Sequence, residues 1–266
     1  MKNIFSILCF IIALHSTAQD AVFTPVKSFE GDYIDFTIDN LGNYYLLSKN
    51  NQLKKLNGNG DSMGVFNDVR RYGKLYSIDA SNPLKVLLYY KNFATVVVLD
   101  RFMNMINTID LRKQNIFQVK AIAQSYDNNI WVYDEQSSKL KKIADDGSIL
   151  SETVEFRMFL DDVPSPTHIF DQDGFVYLYD PEKGIYVFDI YGSFKNKISY
   201  VGLTDLGIFG KTIVGIENQQ LIAYTTGTLT ERKLPLPAMF ADRQKVLIRP
   251  GHFYILQNGA VQHFTF

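Results

Sequence analysis

The chain has 266 residues, enough for one large all-β domain or two ordinary ones. Lys plus Arg number 27 against 28 Asp plus Glu, and this net charge of −1 argues against a general nucleic-acid binder. Hydrophobic residues make up 46% and exclude global disorder, while a single cysteine excludes an intramolecular disulfide or a Cys-rich zinc site.

At the N-terminus, Lys2 precedes the uncharged apolar stretch Ile4 to Leu14, which is followed by the small residues Ser16-Thr17-Ala18. This is the pattern of a secretory signal peptide, and the stretch falls short of the roughly 20 apolar residues that span a bilayer as a helix. Cys9 follows Leu8 inside the apolar run, so the small-residue–Cys junction of a lipoprotein is absent. The expected division is a signal peptide over 1–18 and one domain over 19–266. Cleavage removes the only cysteine, which suits export to an oxidising compartment. The expected location is the periplasm or the cell exterior.

The next segment, Val22 to Phe29, has strand composition with Pro25 inside it. Proline lacks a ladder donor and is tolerated on an outermost strand. A repeat then begins. Asp39-Asn-Leu-Gly42-Asn-Tyr-Tyr45, Ser125-Tyr-Asp-Asn128-Asn-Ile-Trp131 and Asp171-Gln-Asp-Gly174-Phe-Val-Tyr177 each place Gly or Asn fourth and an aromatic seventh. Gly and Asn tolerate the positive φ of a tight hairpin turn. The pairs Leu53/Leu56, Val96/Leu99, Leu140/Ile143 and Ile185/Phe188 mark a further strand in each unit, and Gly60, Gly147 and Gly192 mark the next turn. The run Thr95-Val96-Val97-Val98-Leu99 reads as a buried strand because it is continuous and β-branched. A fifth copy spans 212–234 and a sixth 246–264.

Residues 19–266 divide into six units of about 41, the period of a propeller blade. The sixth copy carries three strands and stops at Phe266. The reading is therefore all-β, a six-bladed β-propeller closed by an N-terminal strand in the last blade. The pattern Asp-x-x-Gly-Asn-x-Tyr followed by a second strand and Asp-Gly resembles the NHL-type repeat of six-bladed propellers. Residues 39–61, 125–148 and 171–193 carry it. That resemblance implies the fold and leaves function open, since propellers host enzymes, binders and scaffolds.

A catalytic set does not emerge. His168, His252 and His263 fall at no metal-ligand spacing; His168 begins an inner strand and could face the central channel, His252 follows Pro250-Gly251 in an expected turn, and His263 lies in a strand. Asp171-Gln-Asp173-Gly174 with Glu182 mimics a calcium loop, but the intervening Val176-Tyr177-Leu178 reads as a strand that carries Glu182 away. No cofactor is expected. The alternatives to a binding protein are a channel-centred metal-dependent hydrolase, for which some six-bladed relatives offer a precedent, and a carbohydrate binder using exposed aromatics.

What remains is the face opposite the short Gly/Asn turns, where the connections are longer and varied. Loops on a rigid scaffold commonly carry recognition, and Arg and Tyr are enriched at interface hot spots. The partner-binding candidates there are Arg70, Arg71, Tyr72, Tyr90, Arg112, Asp161 and Asp162. The expected partner is a protein of the cell envelope, with the chain acting as a non-enzymatic scaffold subunit. The aromatic excess of 14% divides accordingly: Tyr45, Trp131 and Tyr177 are expected as packing between blades, and aromatics outside the repeat, such as Tyr72, as contact residues.

Overall fold

Short β-branched and aromatic runs separated by turn residues fold here as strands. The computed structural model describes residues 23–266, so the signal peptide expected over 1–18 lies outside the described residues. These residues form six antiparallel sheets of four strands each. Blades 1 to 5 are built from consecutive chain over 33–66, 77–110, 119–152, 168–198 and 204–235. Blade 6 takes three strands from 245–265, and its fourth is the N-terminal strand Thr24–Phe29, paired with Ala260–Thr265. The first strands of neighbouring blades touch, blade 1 meeting both blade 2 and blade 6, so they form the inner ring around a channel. The fold is a six-bladed β-propeller closed as the sequence suggested.

Burial follows strand position. The second and third strands are covered on both faces, as in Val86–Tyr90 and Thr95–Leu99, where every residue is buried. The outer strands are mostly exposed. Pro25 sits on the outer strand of blade 6, where one edge has no partner. In blades 1 to 4 the pairing of third and outer strands slips by one residue at Leu56, Leu99, Ile143 and Phe188, the second members of the sequence pairs. Such bulges bend the strand and increase its local twist in these four blades.

The turns obey the same logic. Gly42, Asn128 and Gly174 adopt φ of +79°, +63° and +80°. In the first of them, Asp39 Oδ1 accepts from the N–H groups of Leu41 and Asn43, both at 2.9 Å, fixing the loop from its first residue.

Apolar packing between blades is supplemented by polar brackets. In blades 2, 3 and 4 a second-strand tyrosine donates its hydroxyl to a carbonyl at the entrance of the next blade. The bonds are Tyr89 to Val119 at 3.2 Å, Tyr133 to Pro164 at 2.7 Å and Tyr179 to Leu203 at 2.7 Å. Tyr45, Trp131 and Tyr177 are buried as expected. Trp131 Nε1 donates to Asp171 Oδ2 at 2.7 Å across the joint between blades 3 and 4, so Asp171 is a bracket. Asp171 lies in the strand His168–Gln172 paired with Val176, near the start of the strand Phe175–Asp180, and Glu182 lies beyond the other end of that strand.

The joint between blades 6 and 1 joins the two ends of the described chain. Lys245 Nζ meets Asp35 Oδ1 at 2.5 Å and donates to the Phe36 carbonyl at 2.9 Å. His263 is buried, stacks on Tyr254 at 4.3 Å between ring centroids, and links His252 at 2.9 Å to the Tyr44 hydroxyl at 3.1 Å. His252 is the first residue of the strand His252–Gln257, not part of the preceding turn.

Burial, with the neighbouring His252 and Lys27 adding to it, depresses the His263 pKa to about 4 from 6.5. The unfolded chain therefore binds more protons between these values, so this stabilisation is complete above pH 6.5 and is lost as pH falls toward 4. Melting temperature should drop between pH 7 and pH 4.5, and His263→Gln should flatten that dependence. His168, also depressed by desolvation, should sustain the remainder. An unchanged slope in the variant would contradict the assignment.

Candidate functional site

The short turns between first and second and between third and fourth strands occupy one face of the ring. The opposite face carries the connections between blades, residues 67–76, 111–118, 153–167, 199–203 and 236–244, with the second-to-third strand turns. All seven sequence candidates fall on this connection side, but they do not act alike.

Tyr72 and Tyr90 are corrected from contact residues to core. Tyr72 is 6% exposed and Tyr90 1%, with ring centroids 5.2 Å apart. The connection after blade 1 folds back over the joint with blade 2, and the Tyr72 hydroxyl reaches Thr108 Oγ1 at 3.2 Å. Burial pushes the Tyr90 phenol pKa well up, with Asp68 and Tyr72 adding to it.

Arg112 and Asp162 are exposed but engaged. Arg112 forks onto Asp110 through Nε at 2.8 Å and Nη2 at 2.9 Å, and this pairing holds the Asp110 carboxyl below its usual range. Asp162 lies 2.9 Å from Lys183 Nζ and 3.0 Å from Lys197 Nζ and accepts from the Tyr186 hydroxyl at 3.1 Å. Hydrogen bonds from Lys183 and then Lys197 lead in lowering its pKa to about 2. Asp161 is exposed.

Arg70 and Arg71 remain open to solvent on the one-turn helix Val69–Tyr72, with the Arg71 guanidinium 5.0 Å from the Tyr72 ring centre. Val69 of the same helix, rather than either arginine, lines a pocket of about 190 Å³ together with Ile34, Lys49, Asn50, Asn51, Lys74 and Leu75. Two segments distant in sequence meet there: the second-to-third strand turn of blade 1 and the connection leading to blade 2. Asn51 fastens them, its Oδ1 accepting from Leu75 N–H at 3.0 Å and its Nδ2 donating to the Gly73 carbonyl at 3.4 Å. Among the described residues, no carboxylate pairs with Lys49, Arg70, Arg71 or Lys74. Sequence reading missed Lys49 and Lys74; the basic run Arg70-Arg71-Tyr-Gly-Lys74 was the available signal for the second.

The channel offers a different chemistry. His168 opens the inner strand of blade 4, hydrogen-bonds Thr167 Oγ1 at 2.9 Å and stacks on Phe170. His168 is exposed, yet desolvation by the surrounding protein lowers its pKa, with the ammonium of Lys245 lowering it further. Among the described residues no three His, Cys, Asp or Glu side chains gather in a metal-holding arrangement, and no channel residue is assigned to a metal.

No family model matches the chain, and no curated protein sequence matches it. Solved structures resemble it in fold. Virginiamycin B lyase from Staphylococcus aureus gives a TM-score of 0.61 at 13% identity, covering 90% of this chain and 99% of its own. An exported protein from Bacteroides fragilis gives 0.57 at 11% identity, covering 92% and 94%. BamB from Moraxella catarrhalis gives 0.50 at 12% identity, covering 92% and 98%. The set mixes a lyase with BamB and an exported protein, and at these identities the likeness is one of fold.

Replacing Tyr72 separates packing from contact. Tyr72→Phe should cost about 1 kcal/mol through its hydroxyl, and Tyr72→Ala about 3–5 kcal/mol through the void left in the joint. Urea unfolding measures both, and a Tyr72→Ala protein as stable as the wild type would return Tyr72 to the surface set.

Proposed function

We propose that this chain is an exported, NHL-like β-propeller that binds a protein partner through its connection face, as a non-enzymatic scaffold subunit of a cell-envelope complex. The observation that carries the reading is the sector around Arg70 and Arg71. Elsewhere on the molecule charges are commonly paired, but here exposed cations stand together beside a pocket without a carboxylate among the described residues. Unpaired charge contributes little to folding and a good deal to encounter and specificity.

Exposed apolar side chains add to this face. Phe93, Phe117, Val154, Met158, Phe159, Val201 and Met239 all lie on its loops, and Met158 is 75% exposed. A rigid ring that presents Arg, Phe and Met from successive loops has the composition of an interface rather than of a solvated rim. The signal-peptide pattern of residues 1–18 supports export. Among the described residues, no helix is long and apolar enough to cross a membrane. An exported protein and BamB share the fold, which is consistent with an envelope role. At the channel mouth Lys245 is committed to Asp35, so the charges there serve the closure of the ring.

Arg70→Glu with Arg71→Glu tests the reading. Both side chains are exposed, so stability should stay within about 0.5 kcal/mol. Recovery of the envelope protein that co-purifies with the wild type under mild extraction should fall at least tenfold. Absence of any such protein from the wild-type preparation would remove the reading.

A further inference from the structure

The pocket beside Arg70 and Arg71 has a one-sided chemistry. Asn51 is consumed by Leu75 and Gly73 and forms the wall. Asn50 spends its Oδ1 on the Ser48 hydroxyl and on Gln52 N–H at 3.3 Å, which leaves its NH₂ as a donor. Lys49 and Lys74 supply only donors. The side-chain polar groups left for a ligand therefore all donate, and the matching ligand group is an acceptor-only anion. The remaining lining, Ile34, Val69 and Leu75, is aliphatic. A volume of about 190 Å³ holds one or two side chains and falls below the roughly 300–1,000 Å³ of small-molecule sites.

We propose that this pocket binds a carboxylate-bearing aliphatic segment of a partner protein. An aliphatic side chain rests on Ile34, Val69 and Leu75, its neighbouring carboxylate lies between Lys49 and Lys74, and a further acid is met by Arg70 and Arg71. The aliphatic floor selects against free phosphate, which has no apolar part. Asp32, whose carbonyl accepts from the Lys49 N–H at 3.1 Å, and Asp68, which precedes Val69, mark the acidic border of the pocket, and Glu182, Glu217 and Asp242 on other loops of the face add to the repulsion of a long polyanion or an anionic bilayer laid across it. A short acidic segment engages the four cations without reaching the acids of the other loops. The inference rests on the protein-binding reading and specifies what the partner presents.

The experiment measures binding of fluorescent peptides to the full chain by anisotropy, using alternating Glu-Leu, Gln-Leu and Lys-Leu hexapeptides. The Glu-Leu peptide should saturate, bind at least tenfold more tightly than either other peptide, and weaken at least tenfold in Lys49→Glu with Lys74→Glu. The neutral variant Lys49→Gln with Lys74→Gln should give an intermediate loss, with melting temperature as the check on folding in both. Equal binding of the Glu-Leu and Gln-Leu peptides overturns the proposal. So does inorganic phosphate binding as tightly as the peptide, or recruitment to phosphatidylglycerol vesicles that the same substitutions abolish. A concentration-dependent dimer lost in the variant assigns the pocket to a second copy and overturns it as well. If no peptide binds while envelope-protein capture still requires Arg70 and Arg71, the pocket assignment falls and the protein-binding reading stands. If the Glu-Leu peptide binds through Lys49 and Lys74 but no envelope protein is captured, the pocket stands and the scaffold reading falls.

Discussion

A ring of sheets can bury both faces of every sheet only if it closes, and closure is the constraint on which everything else in this molecule rests. Five of the six joints are made by neighbouring stretches of chain, and chain connectivity keeps their partners close. Closing the sixth requires residues 24–29 to pair with residues 260–265 inside blade 6, across nearly the whole described sequence. Its loop-closure entropy is the largest in the fold, though that cost rises only with the logarithm of length. Opening this joint would expose the faces of blades 1 and 6, including the fully buried Phe36, Leu256 and Val261.

The chemistry of that joint answers the constraint. The Lys245–Asp35 pair, the Arg249 bond to the Ile38 carbonyl and the His252–His263–Tyr44 relay all cross it or brace it. Buried ionic and polar contacts contribute modestly to net stability, because desolvation offsets most of their attraction. They are directional, however, and a misplaced strand would leave their donors unsatisfied. Blades 2, 3 and 4 reach the same specificity with the neutral tyrosine hydroxyl, which costs less to bury. Blades 1, 5 and 6 carry Leu47, Ile216 and Leu256 in the corresponding part of the second strand, where a hydroxyl is missing. Their joints draw on other brackets, such as Lys55 to the Arg101 carbonyl at 2.9 Å and Asp205 to Val246 N–H at 2.8 Å.

The ring was legible in the sequence because each of its requirements leaves a local mark. Buried third strands show as Val96 to Leu99, bulges fall on Leu56, Leu99, Ile143 and Phe188, and turns declare themselves through Gly42, Asn128 and Gly174. The candidate site was legible only in part. Arg70 and Arg71 could be chosen by type and place, but Tyr72 looked like a free aromatic because it lies outside the repeat. Its burial depends on the path of one connection over the joint beneath it, and no periodicity records that path. The pocket was hidden for a related reason: Lys49 and Lys74 are 25 positions apart, and their loops are brought together by the Asn51 bridge and by Asn67 Nδ2 donating to the Asn50 carbonyl at 3.4 Å.

Folding and recognition therefore draw on different subsets of the same residue types. Lysines 55, 85, 141 and 142 are buried and committed to carbonyls or carboxylates, and replacing Lys141 would strand the buried Asp134 carboxylate inside the protein. Lys49, Arg70, Arg71 and Lys74 carry the same charge at the surface without such commitments among the described residues. Exposed charge of one sign, gathered at one place on an otherwise balanced chain, adds local self-repulsion to the folded state. The propeller tolerates that cost because its stability comes from joints buried between blades, away from the loops. The connection face is thereby free to hold a sector of exposed cations that, among the described residues, form no ion pairs.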